Sequence, residues 1–128
     1  MTTACIEHVN LTVSQPDTLA EHFCHLFDWR IRWSGAALSD GYTVHVGSEN
    51  RYFALYTHPD TAEGSRDPMR IGSVNHVGLV VNDLDEMEQK VLTRGFTTNN
   101  HRDYGHCKSF YFMADNSLEI EIVCYKGS

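Results

Sequence analysis

The stretch Ile6-Glu-His-Val-Asn-Leu-Thr-Val13 decides the fold, because it returns without a gap as Val74-Asn-His-Val-Gly-Leu-Val-Val81. The offset is 68 residues (74 − 6), and four of the eight positions are identical, one of them a histidine. A repeat of this kind fixes an architecture as copies of one unit, before any single element is read. Each copy leads directly into a helix-like stretch. In the first, Ser14 and Asp17 are placed to cap a helix carrying Leu19, Phe23, Leu26 and Phe27 on one stripe. In the second, Asn82 is placed to cap a helix whose stripe is Met87, Val91 and Leu92, ended by Gly95. Both copies close on alternating runs. Gly41 to Val46 and Arg51 to Tyr56 flank a Gly47 to Asn50 turn, while Ser109 to Met113 and Leu118 to Tyr125 flank Asp115-Asn116-Ser117. Weaker strands over Arg30 to Ser34 and Phe96 to Asn99 complete a β-α-β-β-β unit twice.

The predicted fold class is therefore α+β, with two tandem βαβββ modules forming a curved mixed sheet around a cavity. One domain is expected over 1–128, with module one at about 4–57, a polar linker at about 58–72 and module two at about 73–126.

Composition narrows the function. Hydrophobic residues make up 41% of the 128, enough to build a core. The charge sum is 10 − 17 = −7, and no run of Lys and Arg appears, which argues against nucleic acid and against an anionic membrane surface as partner. No apolar stretch approaches the roughly 20 residues that span a bilayer. The opening Met-Thr-Thr-Ala-Cys has neither the basic nor the apolar region of a signal peptide. Four cysteines, Cys5, Cys24, Cys107 and Cys124, form no C-x-x-C pair and are expected as reduced thiols. A cytoplasmic location is expected.

Strand periodicity then sorts the side chains. In the first strand Val9, Leu11 and Val13 face the helix, so His8, Asn10 and Thr12 project from the other face. In the second copy Val77, Leu79 and Val81 face the helix, while His76, Gly78 and Val80 point away. The last strand sends Ile120, Ile122 and Cys124 inward and leaves Glu119, Glu121, Val123 and Tyr125 on the free side. Its first-copy counterpart frees Tyr52, Ala54 and Tyr56. His8 and Ala54 are 46 residues apart, and His76 and Glu121 are 45, so Ala54 and Glu121 are equivalent. With the two halves folded together, two imidazoles and one carboxylate converge, a set that binds a divalent first-row metal and leaves positions open. Taking Asn116 as hairpin centre pairs Tyr111 with Glu121 on one face.

Other histidines are less decisive. His22 and His25 are expected to face solvent, and His45 to sit on the helix side with Phe53. His101, Tyr104 and His106 lie in a polar segment, Asn99 to Lys108, which either covers the cavity and offers a general base or is an exposed turn. Trp29 and Trp33 serve core packing or a stacking wall. Tyr52, Tyr56, Val44 and Val46 are expected to line an apolar pocket around Ala54.

The paired Ile-Glu-His-Val and Val-Asn-His-Val strand starts, the two βαβββ modules and the terminal Leu118-Glu-Ile-Glu-Ile-Val123 strand resemble the vicinal oxygen chelate superfamily. That superfamily includes glyoxalase I, extradiol dioxygenases, fosfomycin-resistance enzymes and bleomycin-resistance proteins, and the resemblance covers roughly residues 4 to 126. It implies the glyoxalase/bleomycin resistance/dihydroxybiphenyl dioxygenase-like fold. By position it implies His8, His76 and Glu121 as metal ligands, with Ala54 where glyoxalases place a second glutamate. Two histidines and one glutamate resemble the extradiol dioxygenase pattern, whose tyrosine ten residues before the glutamate is matched by Tyr111.

The resemblance thus implies a small enzyme using a divalent ion (Fe2+, Mn2+, Zn2+ or Ni2+) on a substrate that chelates it through vicinal oxygens. Glu121 is ligand and proton carrier, Tyr111 a hydrogen-bond donor, and Asn10, Tyr52, Ala54, Tyr56 and His106 are substrate-contacting residues. The alternative is a bleomycin-resistance-type protein that binds a small molecule or drug without turnover. Two-module members commonly pair, so a homodimer is expected, with a site formed within one chain or shared across two.

Overall fold

A computed structural model of the chain describes residues 1–61 and 66–127; residues 62–65, inside the expected linker, and residue 128 lie outside the described residues. The chain divides into two compact units, Met1–Glu63 and Gly64–Ser128.

The first unit runs β1 (His8–Thr12), α1 (Pro16–Phe27), β2 (Arg30–Ala36), a short 3-10 turn (Leu38–Asp40), β3 (Tyr42–Gly47) and β4 (Tyr52–Thr57). Its strands lie in the order β1-β4-β3-β2, with β1 parallel to β4 and the other pairs antiparallel. The second unit runs β5 (Val77–Val80), α2 (Leu84–Thr93), β6 (Thr98–Asp103), β7 (Cys107–Met113) and β8 (Glu119–Tyr125). Its order, β5-β8-β7-β6, repeats the first with the same parallel and antiparallel pairs. The two βαβββ copies read from the sequence are the observed architecture. Each copy forms its own four-stranded mixed sheet.

Alternation explains each core. In the first unit Leu11, Val44, Val46, Phe53 and Leu55 are buried together with Leu19, Phe23 and Leu26 of α1. Phe23 stands edge-on to Phe53 at 5.7 Å, and Trp29 closes the same cluster against Phe53 at 5.2 Å. Trp29 is thus a core residue. In the second unit Phe110, Phe112, Ile120 and Ile122 are fully buried with Val91 of α2. Each such side chain contributes about 1.5–3 kcal/mol on burial. Tight closure of the β3–β4 hairpin requires Gly47, where a Cβ would stand 2.2 Å from the Arg51 carbonyl oxygen.

Several local expectations are corrected. Gln15, not Ser14 or Asp17, precedes α1, and Pro16 opens the helix; Asp17 instead accepts a 2.7 Å hydrogen bond from the Tyr42 hydroxyl. Asp83, not Asn82, caps α2, its Oδ1 accepting from the Glu86 N–H at 3.0 Å. Leu92 is 43% exposed and does not join the helix stripe. The second strand of the second copy begins at Thr98 instead of Phe96, and Phe96 packs onto Phe112 at 5.3 Å. Residues Asn99 to Lys108 are therefore mostly strand, with only Tyr104 to His106 as a turn.

Candidate metal centre

The helix-free face of the second sheet is built from β5, β8 and β7. Its register pairs Gly78 with Glu121 and Glu121 with Tyr111, so these three stand across one line of the face. His76 sits one residue before β5 and turns its Nε2 to Glu121 Oε1 at 3.3 Å. The Tyr111 hydroxyl donates to the same carboxylate, and its ring stands edge-on to His76 with centroids 5.3 Å apart. Gly78, opposite Glu121, puts no side chain over the carboxylate. The three residues singled out in the second module are therefore in mutual contact.

Electrostatics assign their states. Burial first, and then the hydrogen bond and charge of Glu121, push the Tyr111 phenol above its ordinary value of 10.0. Tyr111 remains a donor at neutral pH. The His76 Nδ1 lies 2.8 Å from Asn75 Oδ1, which leaves Nε2 to face Glu121. Neighbouring ligands of a first-row ion at about 2.0–2.2 Å lie about 3.0–3.4 Å from each other, so the 3.3 Å pair has ligand spacing. The donor set fits such an ion as two ligands of a larger shell.

The first unit carries the equivalent face. Asn10 pairs with Ala54 and Ala54 with His45, the line equivalent to Gly78, Glu121 and Tyr111. His8 has its Nδ1 2.8 Å from Glu7 Oε1, as His76 has Asn75. Where the second unit has a carboxylate, the first has Ala54, 3% exposed. Rings fill the remainder: His8 stacks on Tyr52 at 5.0 Å, Tyr52 on His45 at 4.7 Å, and Trp33 meets His45 edge-on at 5.3 Å. The Arg32 guanidinium lies 4.5 Å from the Tyr52 ring centroid. Burial first, then the His8 and Arg32 charges, hold the His45 imidazole below its ordinary 6.5.

This register corrects two expectations. His45 stands on the helix-free face, not beside Phe53. Val44 and Val46 are fully buried on the helix side, opposite Leu55 and Phe53, and do not line a space around Ala54. The signal for His45 was present in the sequence: Val44 and Val46 are the apolar alternates of their run, and a one-residue slip exchanges the faces.

The other expected residues are placed as follows. Tyr56 is on the helix-free face, its hydroxyl donating to the Leu38 carbonyl at 3.0 Å. His106 is in the turn before β7, where its carbonyl accepts from Lys126 N–H, and its Nδ1 lies 3.3 Å from the Tyr104 carbonyl. Lys126 is five residues beyond Glu121, about 17 Å of extended strand, so His106 is not brought to the His76–Glu121 pair. His101 bonds Glu88 of α2 at 2.7 Å. Among the described residues, no group of three or more His, Cys, Asp or Glu is placed to hold a metal ion. The structure groups His76 with Glu121, and His8 keeps Glu7 and Tyr52 of its own unit. A 330 Å³ cavity beside α2, lined by Val80, Asp83, Glu86 and Lys90 among others, contains none of these residues.

No family model matches the chain, and no curated protein gives a significant match. Solved structures do resemble it. A glyoxylase/bleomycin resistance protein/dioxygenase domain from Frankia sp. EAN1pec is 18% identical with a TM-score of 0.85, covering 99% of this chain and 96% of that one. SMU.1112c is 18% identical with a TM-score of 0.78, covering 95% of this chain and 99% of that one. A mutant of the fosfomycin resistance protein FosX from Listeria monocytogenes, solved with Mn(II) and 1S,2S-dihydroxypropylphosphonic acid, is 14% identical with a TM-score of 0.73, covering 99% of this chain and 95% of that one. The fold is that of the vicinal oxygen chelate superfamily.

Proposed function

We propose that this protein is a divalent-metal-dependent enzyme acting on a small substrate that chelates the ion through two neighbouring oxygens. The observation that carries this reading is the His76 Nε2 and Glu121 Oε1 pair at 3.3 Å, with the Tyr111 hydroxyl on the same carboxylate. His76 and Glu121 would be two ligands. His8, at the equivalent strand position with its Nδ1 held in the same way, is the candidate third. An ion of the Mn2+, Fe2+, Zn2+ or Ni2+ type supplies Lewis acidity to the chelated oxygens. Tyr111, kept protonated, gives a hydrogen bond to an oxygen that gains negative charge, and Glu121 can carry a proton to or from it. Asn10, Tyr52, Ala54 and Tyr56 are proposed to contact the substrate. FosX, a fold neighbour solved with Mn(II) and a 1,2-dihydroxy compound, supports this class of ion and ligand. A homodimer in the cytoplasm completes the reading.

A second reading, sequestration of a flat ligand without turnover, draws on the ring column His8, Tyr52, His45 and Trp33. One experiment separates the two. Mn(II)-loaded protein is incubated with a panel of 1,2-diols, catechols and 2-hydroxy ketones, and the products are analysed. The enzymatic reading expects conversion of a panel member that a chelator stops and Tyr111→Phe slows about 10–100-fold. Tight binding by metal-free protein, with the ligand recovered unchanged, is the outcome of sequestration.

A further inference from the structure

The segment preceding β5 contains a chain of polar contacts that ends on the His76 ring. The Asn75 Nδ2 donates to the Pro68 carbonyl at 3.3 Å, and the Asn75 Oδ1 lies 2.8 Å from His76 Nδ1. A carbonyl oxygen can only accept, so the contact with Pro68 fixes which end of the Asn75 amide is nitrogen. The other end is then oxygen, and it also can only accept. His76 Nδ1 must therefore be the donor, and Nε2 of the neutral ring holds the lone pair.

That outcome opposes the ring's other neighbour. The Glu121 carboxylate, 3.3 Å from Nε2, favours a proton on Nε2, and so does the intrinsic preference of a neutral imidazole. The backbone of Asn75 is held as well, since its carbonyl accepts from Arg66 Nη2, whose side chain also meets Glu119 Oε1 at 3.4 Å. The Arg66 and Glu119 side chains are only 18% and 20% exposed, so this tie is partly shielded from water.

We propose that Asn75 is a positioning residue: braced by Pro68 and Arg66, it holds neutral His76 in the Nδ1–H tautomer and keeps Nε2 as a lone pair aimed at Glu121. The functional consequence rests on the reading of His76 as a metal ligand; the tautomer itself does not. A lone pair and a carboxylate oxygen facing each other at 3.3 Å repel unless a cation lies between them, so Asn75 prepares a cation seat at the cost of local repulsion.

The test is imidazole nitrogen NMR on the metal-free protein at about pH 8.5, well above the ordinary histidine value. Wild type is expected to show His76 protonated on Nδ1. Asn75→Leu, which keeps the side-chain size and cannot accept, is expected to move the proton to Nε2. Asn75→Asp, which restores an acceptor as Glu7 does beside His8, is expected to keep Nδ1–H. A dispersed amide spectrum checks that each variant is folded. Titration of the same samples with Mn(II) is a separate readout, and affinity is expected to fall about 10–100-fold in Asn75→Leu. Wild-type His76 protonated on Nε2, or an unchanged tautomer in folded Asn75→Leu, overturns the proposal. Nδ1–H in a wild type that binds no Mn(II) upholds the positioning and removes the metal reading instead.

Discussion

At the scale of single residues, the two copies differ where chemistry is expected. Ala54 and Glu121 occupy one repeat position, and their partners compensate in size: Asn10 stands opposite the alanine and Gly78 opposite the glutamate. Ala54→Glu therefore inserts a charge at a nearly closed position, opposite Asn10 and His45, without the open space that Gly78 provides. The metal-free variant should lose on the order of 3 kcal/mol in urea unfolding. A second residue-scale expectation concerns Tyr111. Its phenol is raised first by burial and then by Glu121, so Glu121→Gln should lower that titration while leaving it above 10.0. Tyrosine-labelled NMR across alkaline pH measures it. Which residues take the helix-free face of their own sheet was legible from alternation for His8, His76 and Glu121, and from the Asn116 hairpin centre for Tyr111. For His45 two signals conflict: the repeat offset points to the helix side, while the flanking Val44 and Val46 point to the free face that it takes.

At the scale of elements, α2 and β6 show what periodicity cannot reach. The strand Thr98–Asp103, Thr-Asn-Asn-His-Arg-Asp, has no apolar alternation, and Asn100 interrupts it with φ at 53°. Its attachment is polar: Glu88 of α2 accepts from the Thr98 hydroxyl and lies 2.7 Å from His101 Nε2. Burial of Glu88 opposes ionisation, but the Thr98 and His101 hydrogen bonds and the His101 charge outweigh it and hold the carboxyl below its ordinary 4.5. A carboxylate depressed in the folded state contributes stability above its unfolded value, and that contribution disappears as pH falls through the folded value. Wild type should thus exceed Glu88→Gln in stability near neutrality, with the gap narrowing below about pH 4.5. Thermal unfolding of both proteins over that range checks the sign. The α2 cap offers a simpler test: Asp83→Ala removes the acceptor for Glu86 N–H and should cost about 1 kcal/mol by urea unfolding.

At the scale of the molecule, duplication carried most of the legible information. Eight residues at a fixed offset gave the order of elements, and the observed registers repeat strand for strand. Cap residues were less legible, since Ser14, Asp17 and Asn82 each lie within a residue or two of a helix start and only backbone geometry selects among neighbours. Where His106 stands along its strand was not legible for a related reason. Sequence proximity to Tyr111 says nothing of distance along an extended strand, which carries five residues about 17 Å away. The same duplication puts an imidazole with a held Nδ1 at the head of each sheet, and the second sheet sets the Glu121 carboxylate where the first has Ala54.

The central claim, that His76 and Glu121 hold a divalent ion, is tested most directly by elemental analysis. The protein is reconstituted with Mn(II) or Zn(II), desalted, and compared with His76→Ala and Glu121→Gln treated in the same way. One ion retained per chain in the wild type and none in either variant, with folding intact in all three, is the expected result. Wild-type protein that retains no ion, or variants that retain it as well as wild type, would contradict it.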